Sequence, residues 1–352
     1  MLSKNNFFNY GVKELLELPI ENLKRFNIDQ MFQWVYRKKN YHPLEWSNLS
    51  KNLREYMNSH FTFDLPKVVL DKTSSDGTRK FIFGLKDSKS IETVLIPMAN
   101  KRLTLCVSSQ VGCALACEFC HTGLQGFVRH LASSEIVGQY LKVQELIGDQ
   151  RIGNIVFMGQ GEPLHNFESV RVASELFVHP LGIGLGTRKV TLSTSGLVPQ
   201  IKNLSQFPPI NLAISLHAVD NETRNKLMPI NRKYPLEELL ETLEQLPLRA
   251  YRRITYEYIL IDELNDRPQD IKGLIQKLDP ERSKINLIPF NPFPGSAFRA
   301  PSKEKIEYFC EELSRAHFTC TIRSTKGDDI LAACGQLNSN WMNSNAQFST
   351  VC

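Results

Sequence analysis

From residue 103 onward the chain alternates short apolar or β-branched runs with longer stretches of helical periodicity. This alternation limits the fold more than any other feature. The runs 103–108, 154–158, 189–193, 210–215, 254–260, 284–289 and 319–323 read as strands. The stretches 133–147, 168–178, 197–204, 235–246, 268–279, 303–316 and 328–334 place apolar residues at helical spacing. Such alternation predicts an α/β fold in which crossover helices link parallel strands, as an open sheet or a barrel. In folds of this kind active residues gather at the C-terminal ends of strands.

Ahead of this region, residues 1–75 read as a separate helical unit, with apolar periodicity over 12–26, 29–37 and 49–57 and Pro19 and Pro43 as punctuation. Arg37-Lys38-Lys39 is flanked by Trp34, Tyr36, Tyr41 and His42. Basic residues among aromatics suit phosphate contact and base stacking, although a basic helix end is the plainer reading. Residues 76–102 predict a β-hairpin, with strands at 79–85 and 91–96 around a polar turn. The βα region is expected to span 103–335, and 336–352 reads as a polar, frayed tail. With 352 residues the chain can hold one large domain and an appendage. A net charge of +5 permits a nucleic-acid partner without establishing one. No apolar run approaches a membrane span and the first residues carry no signal-peptide pattern, so a cytoplasmic location is expected. Eight cysteines in such a chain point to metal or redox chemistry rather than to a disulfide framework.

Three of those cysteines, Cys113, Cys117 and Cys120, stand at C-x3-C-x2-C spacing, and Cys106 lies seven residues upstream. Thiolates are soft ligands that suit iron–sulfur or zinc. A closed tetrahedral site or a fully protein-ligated cubane wants four ligands, so three leave one position open for chemistry. The strand at 154–158 runs into Gly159-Gln160-Gly161-Glu162-Pro163, which lacks the third glycine of a dinucleotide fingerprint. A carboxylate there could bind an ammonium group, and taken alone the segment is a tight turn. Ser193 and Ser215-Leu216-His217 follow other strands, and Asn291 stands between Pro289 and Pro292 in a stretch that prolines stiffen. Near the end, Gly327 can make a turn, Asp328 or Asp329 can cap the helix expected at 328–334, and Cys334 falls near its close. Alone, Cys334 would read as a small buried hydrophobe and His217 as a hydrogen-bonded core residue.

The cysteine spacing is the signature of the radical S-adenosylmethionine (SAM) superfamily, which this loop closely resembles. The cysteine loop, Gly159-Gln160-Gly161-Glu162-Pro163, Pro289-Phe290-Asn291-Pro292 and Gly327-Asp328-Asp329 followed by Ala332-Ala333-Cys334-Gly335 occur in that order. Together they resemble the RlmN/Cfr family of radical SAM adenine RNA methyltransferases, from about Glu92 to Leu337. The resemblance implies a partial (βα)6 TIM-like barrel with an N-terminal all-α accessory domain and a short β extension. It implies a [4Fe-4S] cluster on Cys113, Cys117 and Cys120. It also implies SAM contacts from Gly161, Glu162, Ser193, Ser215, Leu216, His217 and Asn291.

In the family a cysteine matching Cys334 carries a methyl group, a cysteine matching Cys106 resolves the RNA adduct through a transient disulfide, and Glu92 matches the proposed proton acceptor. Cys310, Cys320 and Cys352 match no family role, and Gln160 stands where many relatives carry methionine. The implied partners are 23S ribosomal RNA, transfer RNA and a reducing donor such as flavodoxin or ferredoxin, with the chain a monomer. Glu162-Pro163 and the Asn291 stretch look more like the branch that methylates adenine C2 than its C8-methylating relative. A C8 enzyme and a non-catalytic metal-containing RNA-binding protein are the alternatives.

Overall fold

The computed structural model describes residues 4–98 and 102–338. The N-terminal segment is built from short pieces: β1 (Asn5–Asn6), α1 (Val12–Leu16), α2 (Arg25–Phe32), a π-helical turn at Gln33–Arg37, α3 (Lys51–His60) and β2 (Phe61–Thr62). The single helix expected across 12–26 stops at Leu16. Pro19 lacks an amide donor, disfavours helix at the residue before it and clashes with the carbonyl one turn back. β1 and β2 pair in parallel, so a strand pair accompanies the helices. The core of this segment is aromatic. Phe7, Phe8, Phe32 and Trp46 are fully buried, and Phe7–Phe32 and Phe8–Tyr36 meet edge to face at 6.2 and 5.9 Å.

Next come β3 (Lys67–Thr73), β4 (Arg79–Gly84), β5 (Ser90–Met98) and β6 (Arg102–Cys106), each antiparallel to the one before. The expected hairpin is thus a three-stranded extension, and β3 comes from the stretch read as helical. Its sequence, Lys-Val-Val-Leu-Asp-Lys-Thr, is rich in strand formers and carries the charges typical of an edge.

From β6 the chain winds through six βα units. A loop bearing β7 (Gln110–Gly112), α4 (His121–Leu124) and β8 (Phe127–His130) leads to α5 (Ser133–Leu146). Then β9 (Ile152–Phe157) precedes α6 (Phe167–Val178), and β10 (Val190–Thr194) precedes α7 (Val198–Ile201). β11 (Asn211–Ser215) is followed by α8 (Asn221–Leu227) and α9 (Leu236–Glu244). β12 (Ile254–Leu260), α10 (Pro268–Lys277), β13 (Ser283–Pro289), α11 (Lys303–Arg315) and β14 (Thr319–Ile322) complete the series. Among the described residues ten strands form one sheet, in the order β14-β13-β12-β11-β10-β9-β6-β5-β4-β3. Pairing is parallel from β6 to β14. This is the expected partial barrel with its β extension, and it carries a seventh parallel strand.

The helices lie apolar face inward. In α9, Leu236, Leu239 and Leu243 are buried while Glu237, Glu238 and Glu241 face out. Each such leucine contributes about 1.5–3 kcal/mol. The N-terminal unit is latched onto α6 and the turn after it. Val12 N–H donates to Glu175 Oε1 at 3.0 Å, Arg171 pairs with Glu14, and Arg37 donates to the Pro180 carbonyl. Arg37 and Tyr36 are thereby engaged in packing, and Lys38 Nζ sits 3.5 Å above the Trp34 ring. Cys310 and Cys320 pack against the core, as expected of residues without a family role.

One expected helix does not form. Residues 328–334 make only a 3-10 turn at Asp328–Ile330, because Leu331 and then Gly335 take positive φ, +52° and +86°. Neither aspartate caps this turn. Asp329 instead accepts from the Ser74 hydroxyl and the Ser75 amide, and Asp76 accepts from Gly327 N–H. The segment is a loop tied to the β extension. The expected polar tail lies, from residue 339 on, outside the described residues, as does Cys352.

Candidate active site

The cysteine loop is closed at its base by β7 pairing antiparallel with β8. Gly112 makes that closure possible. It sits at φ +72°, and a Cβ there would lie 1.9 Å from the Gly126 carbonyl oxygen. Cys113 N–H donates to that same oxygen at 2.9 Å. Inside the loop Cys120 N–H donates to Cys117 O, and Gly123 N–H to Cys120 O. The three thiols border one cavity of about 130 Å³. Burial pushes the Cys113 thiol up to about 12 and raises Cys117 and Cys120, with the neighbouring thiols adding to the effect. Three thiols in such surroundings become thiolates when a metal's positive charge replaces their protons. A cubane spreads its thiolates over separate irons, so a ring of thiols around a cavity fits the group.

The other walls of this cavity come from the C-terminal ends of the strands. Gly161 lies at φ +97°, and a Cβ would be 2.5 Å from Gln110 Cβ, so the turn after β9 presses against β7. Glu162 is buried, which raises its carboxyl above the usual range, and its oxygens accept from Leu164 and Ser195 N–H at 3.0 and 2.8 Å. Ser193, Ser215 and His217 line the same space. His217 takes a positive φ of +62°, and its Nδ1 accepts from Ile259 N–H at 3.0 Å. Burial, with Arg224 nearby, lowers its pKa to about 3, so the ring is neutral and Nε2 carries the proton as a donor.

A larger cavity of about 900 Å³ occupies the barrel interior, lined by residues of strands from β5 to β14. Cys106, at the end of β6, borders it, and Cys334 borders both cavities. The Cys334 loop is held from several sides. Asn291 Nδ2 donates to the Cys334 carbonyl at 3.0 Å, Gly335 O accepts from His121 N–H at 2.7 Å, and Leu337 O accepts from the Thr122 hydroxyl at 2.8 Å. Burial, reinforced by Cys334, pushes the Cys106 thiol up to about 12, while Arg323 works in the opposite sense. The two cysteines, 228 residues apart in sequence, are thus electrostatic neighbours with free thiols.

Three predicted site residues lie elsewhere. Leu216 is buried outside the cavity lining, its N–H donating to Glu257 O. Asn291 borders the larger cavity rather than the smaller. Glu92 borders neither. Its buried carboxylate pairs with Lys80 at 3.2 Å and accepts from Asn338 N–H at 2.8 Å, and burial raises its pKa. Gln160 is fully buried and accepts from Glu92 N–H at 3.1 Å.

Sequence reasoning passed over three charged residues. Arg224 donates to the carbonyls of Ser195, Ser215 and Leu216 and so organises the ends of β10 and β11. Glu257 and Arg323 border both cavities. A charge inside the apolar run Ile-Thr-Tyr-Glu-Tyr-Ile-Leu was a readable signal for Glu257. Arg224 and Arg323 carried none.

Residues 107–276 match the Radical SAM superfamily. A dual-specificity RNA methyltransferase RlmN from Syntrophobacter fumaroxidans is 48% identical over 315 residues, 89% of this chain and 92% of that protein. The chain belongs to the RlmN family. The RlmN of Halorhodospira halophila is 45% identical over 315 residues, 89% of this chain and 88% of the relative. A crystal structure of a radical SAM methyltransferase from Sphaerobacter thermophilus superposes with a TM-score of 0.82 at 36% identity, covering 95% of this chain and 99% of that one. As an RlmN-family enzyme the chain is a radical SAM methyltransferase whose cofactors are a [4Fe-4S] cluster and SAM. Among the described residues no helix is long and apolar enough to cross a membrane.

Proposed function

We propose that the chain methylates carbon 2 of adenine in 23S ribosomal RNA and in transfer RNA, with the methyl carbon passing through Cys334. The observation that carries this reading is the position of Cys334. It stands where the cavity of the three cysteines meets the wide cavity, next to Cys106. Adenine C2 is electron-poor and carries hydrogen, so a polar methyl transfer has no nucleophile to use. Cys113, Cys117 and Cys120 would hold the cluster, with Gly161, Glu162, Ser193, Ser215 and His217 lining the space for SAM, and together these groups would supply reductive SAM cleavage and hydrogen abstraction.

The chain's own residues frame that chemistry. The Cys334 thiolate takes a methyl group from one SAM by displacement. After its S-methyl carbon has joined the adenine, Glu92 accepts the ring proton, and the adduct's unpaired electron would return to the cluster that Cys113, Cys117 and Cys120 hold, leaving a closed-shell thioether between Cys334 and the base. Burial makes that carboxylate more basic than an ordinary one. Cys106 thiolate then attacks Sγ of Cys334. An S–S bond forms, the S–C bond breaks, and its electron pair stays on carbon, which takes a proton and becomes the methyl group. An external thiol reductant restores the cysteines.

The exposed Lys38, Lys39 and His42 support RNA contact by the N-terminal unit, as a helical accessory domain. The remaining assignments are a cytoplasmic monomer and a flavodoxin- or ferredoxin-type electron donor. Incubation of the iron-loaded protein with SAM, a reductant and each RNA, followed by nucleoside mass spectrometry, tests the reading. The expected product is 2-methyladenosine from both RNAs. Exclusive 8-methyladenosine overturns the regiochemistry, and zinc without iron overturns the enzyme assignment.

A further inference from the structure

Of the described residues that border both cavities, Glu257 and Arg323 are the two that carry charge. Glu257 rises from β12 into the barrel interior and is 4% exposed. Asn286 Nδ2 donates to its Oε2 at 2.7 Å, while Asn286 Oδ1 accepts from the Thr321 hydroxyl at 3.1 Å. This relay across three strands fixes which end of the Asn286 amide faces Glu257, and it leaves the second carboxylate oxygen as an acceptor without a hydrogen bond from any described residue. Arg323 follows β14. Burial works against its charge, but Cys334, Glu257 and Cys106 outweigh that and hold its pKa above the ordinary value. The guanidinium is therefore an electrostatic neighbour of the carboxylate and of both working thiols.

We propose that Glu257 and Arg323 read the Watson–Crick edge of the target adenine, the carboxylate accepting from the exocyclic amino group and the guanidinium donating to N1. The inference rests on the function proposed above. Along that edge adenine presents the amino group, then N1, then C2–H. Glu257, Arg323 and Cys334 offer an acceptor, a donor and the methyl carrier. A donor at N1 draws electron density from the adjacent C2, which favours addition of a carbon radical there. Guanine presents a keto oxygen to the carboxylate and an N1–H to the guanidinium, so it fails at both positions. The opposite edge of adenine repeats the order as amino group, N7 and C8. The two edges differ in which ring nitrogen faces the guanidinium, N1 or N7, and substrates lacking one or the other distinguish them.

Glu257→Gln tests the assignment. Asn286 donates toward this side chain and turns the new amide oxygen to itself, so the amide NH2 faces the adenine amino group, donor against donor. On an RNA stem-loop with adenosine at the target position, the variant is expected to lose about ten- to a hundredfold in kcat/KM. On the same stem-loop carrying purine riboside, which lacks the amino group, variant and wild type should agree within about threefold. Equal losses on both RNAs overturn the proposal. So does SAM binding weakened by the same factor, which would assign the carboxylate to the ribose of SAM. Two analogues probe Arg323 with wild-type enzyme, so no variant has to fold. 1-Deazaadenosine should react poorly and 7-deazaadenosine normally, and the reverse order overturns the Watson–Crick assignment. Arg323→Lys should bring adenosine RNA down to the level of the 1-deaza substrate, whereas full activity of that variant removes the guanidinium from the scheme. A wild-type enzyme that methylates none of these RNAs defeats the proposed function itself. Wild-type activity with an unaffected E257Q defeats only the reading of the base.

Discussion

At the scale of single residues the decisive contrast is between the two cysteines of the proposed mechanism. Cys106 is buried at a strand end, and Cys334 is half-buried on a loop. Replacing Cys106 with alanine removes the proposed attacking thiol and leaves Cys334, the proposed methyl carrier, in place. Cys106→Ala should accumulate RNA covalently attached to Cys334, visible as a protein band that shifts down on ribonuclease treatment. Release of methylated RNA at the wild-type rate would refute the resolving role. The raised pKa of Cys106 sets the pH dependence of that step. With the thiol pushed up to about 12, the reactive thiolate is scarce at neutral pH and rises tenfold per pH unit. Alkylation of Cys334 removes one cause of the shift but leaves burial, the larger one. In a pH jump applied to preformed adduct, release should therefore quicken about tenfold per unit between pH 7 and 9 without a plateau. A plateau below pH 9 would mean that the thiol titrates as an ordinary cysteine. The same shift makes the folded state hold this proton more tightly than the unfolded chain does. Its contribution to stability is therefore lost as pH rises from about 9 toward 12.

At the scale of elements, the cysteine loop depends on a contact that no side chain makes. β7 and β8 close because Gly112 lets the backbone pass the Gly126 carbonyl. Gly112→Ala should open that closure and separate the ligands. The expected result is a folded protein that takes up less than half the iron of wild type on reconstitution, while its far-ultraviolet circular dichroism is retained. Full iron content would show that the loop tolerates a wider base. This scale also separates what could be read from the sequence from what could not. The strands at 154–158 and 254–260 were legible because β-branched and apolar runs there are bounded by turn residues. The gathering of Cys113, Cys117 and Cys120 at one cavity and the Gly161-Glu162 turn were legible because their spacing is local. The loop at 327–338 contains the stretch 328–334, whose Ile330, Leu331, Ala333 and Cys334 mimic helical periodicity and predict a helix that does not form. Its real conformation is set by distant partners, among them Ser74, Asp76, Glu92 and Thr122. Arg323 was invisible for the same reason, since its neighbours Cys106 and Glu257 arrive from other strands.

At the scale of the whole molecule, the N-terminal unit and the barrel share packing. Phe8 is fully buried, pairs edge to face with Tyr36 and Tyr41, and lies in the short turn that meets α5 and α6. Phe8→Ala should cost about 3–5 kcal/mol through the cavity it leaves. Because the unit is also latched to α6 through Glu14, Glu175 and Arg37, the loss should lower a single thermal transition rather than create a separate early one. Scanning calorimetry distinguishes the two outcomes, and an early transition of the N-terminal unit alone would show that it unfolds independently.

The placement of Cys334 beyond β14 also bears on the order in which a growing chain becomes competent. Every strand of the barrel and all three cluster cysteines precede it along the chain. During synthesis, a barrel whose last strand is complete still lacks Cys334, the proposed carrier of the methyl group. Its docking partners on the β extension and the cysteine loop are by then in place and waiting. On the proposed mechanism an unfinished polypeptide therefore cannot methylate RNA, including the RNA of the ribosome that is making it.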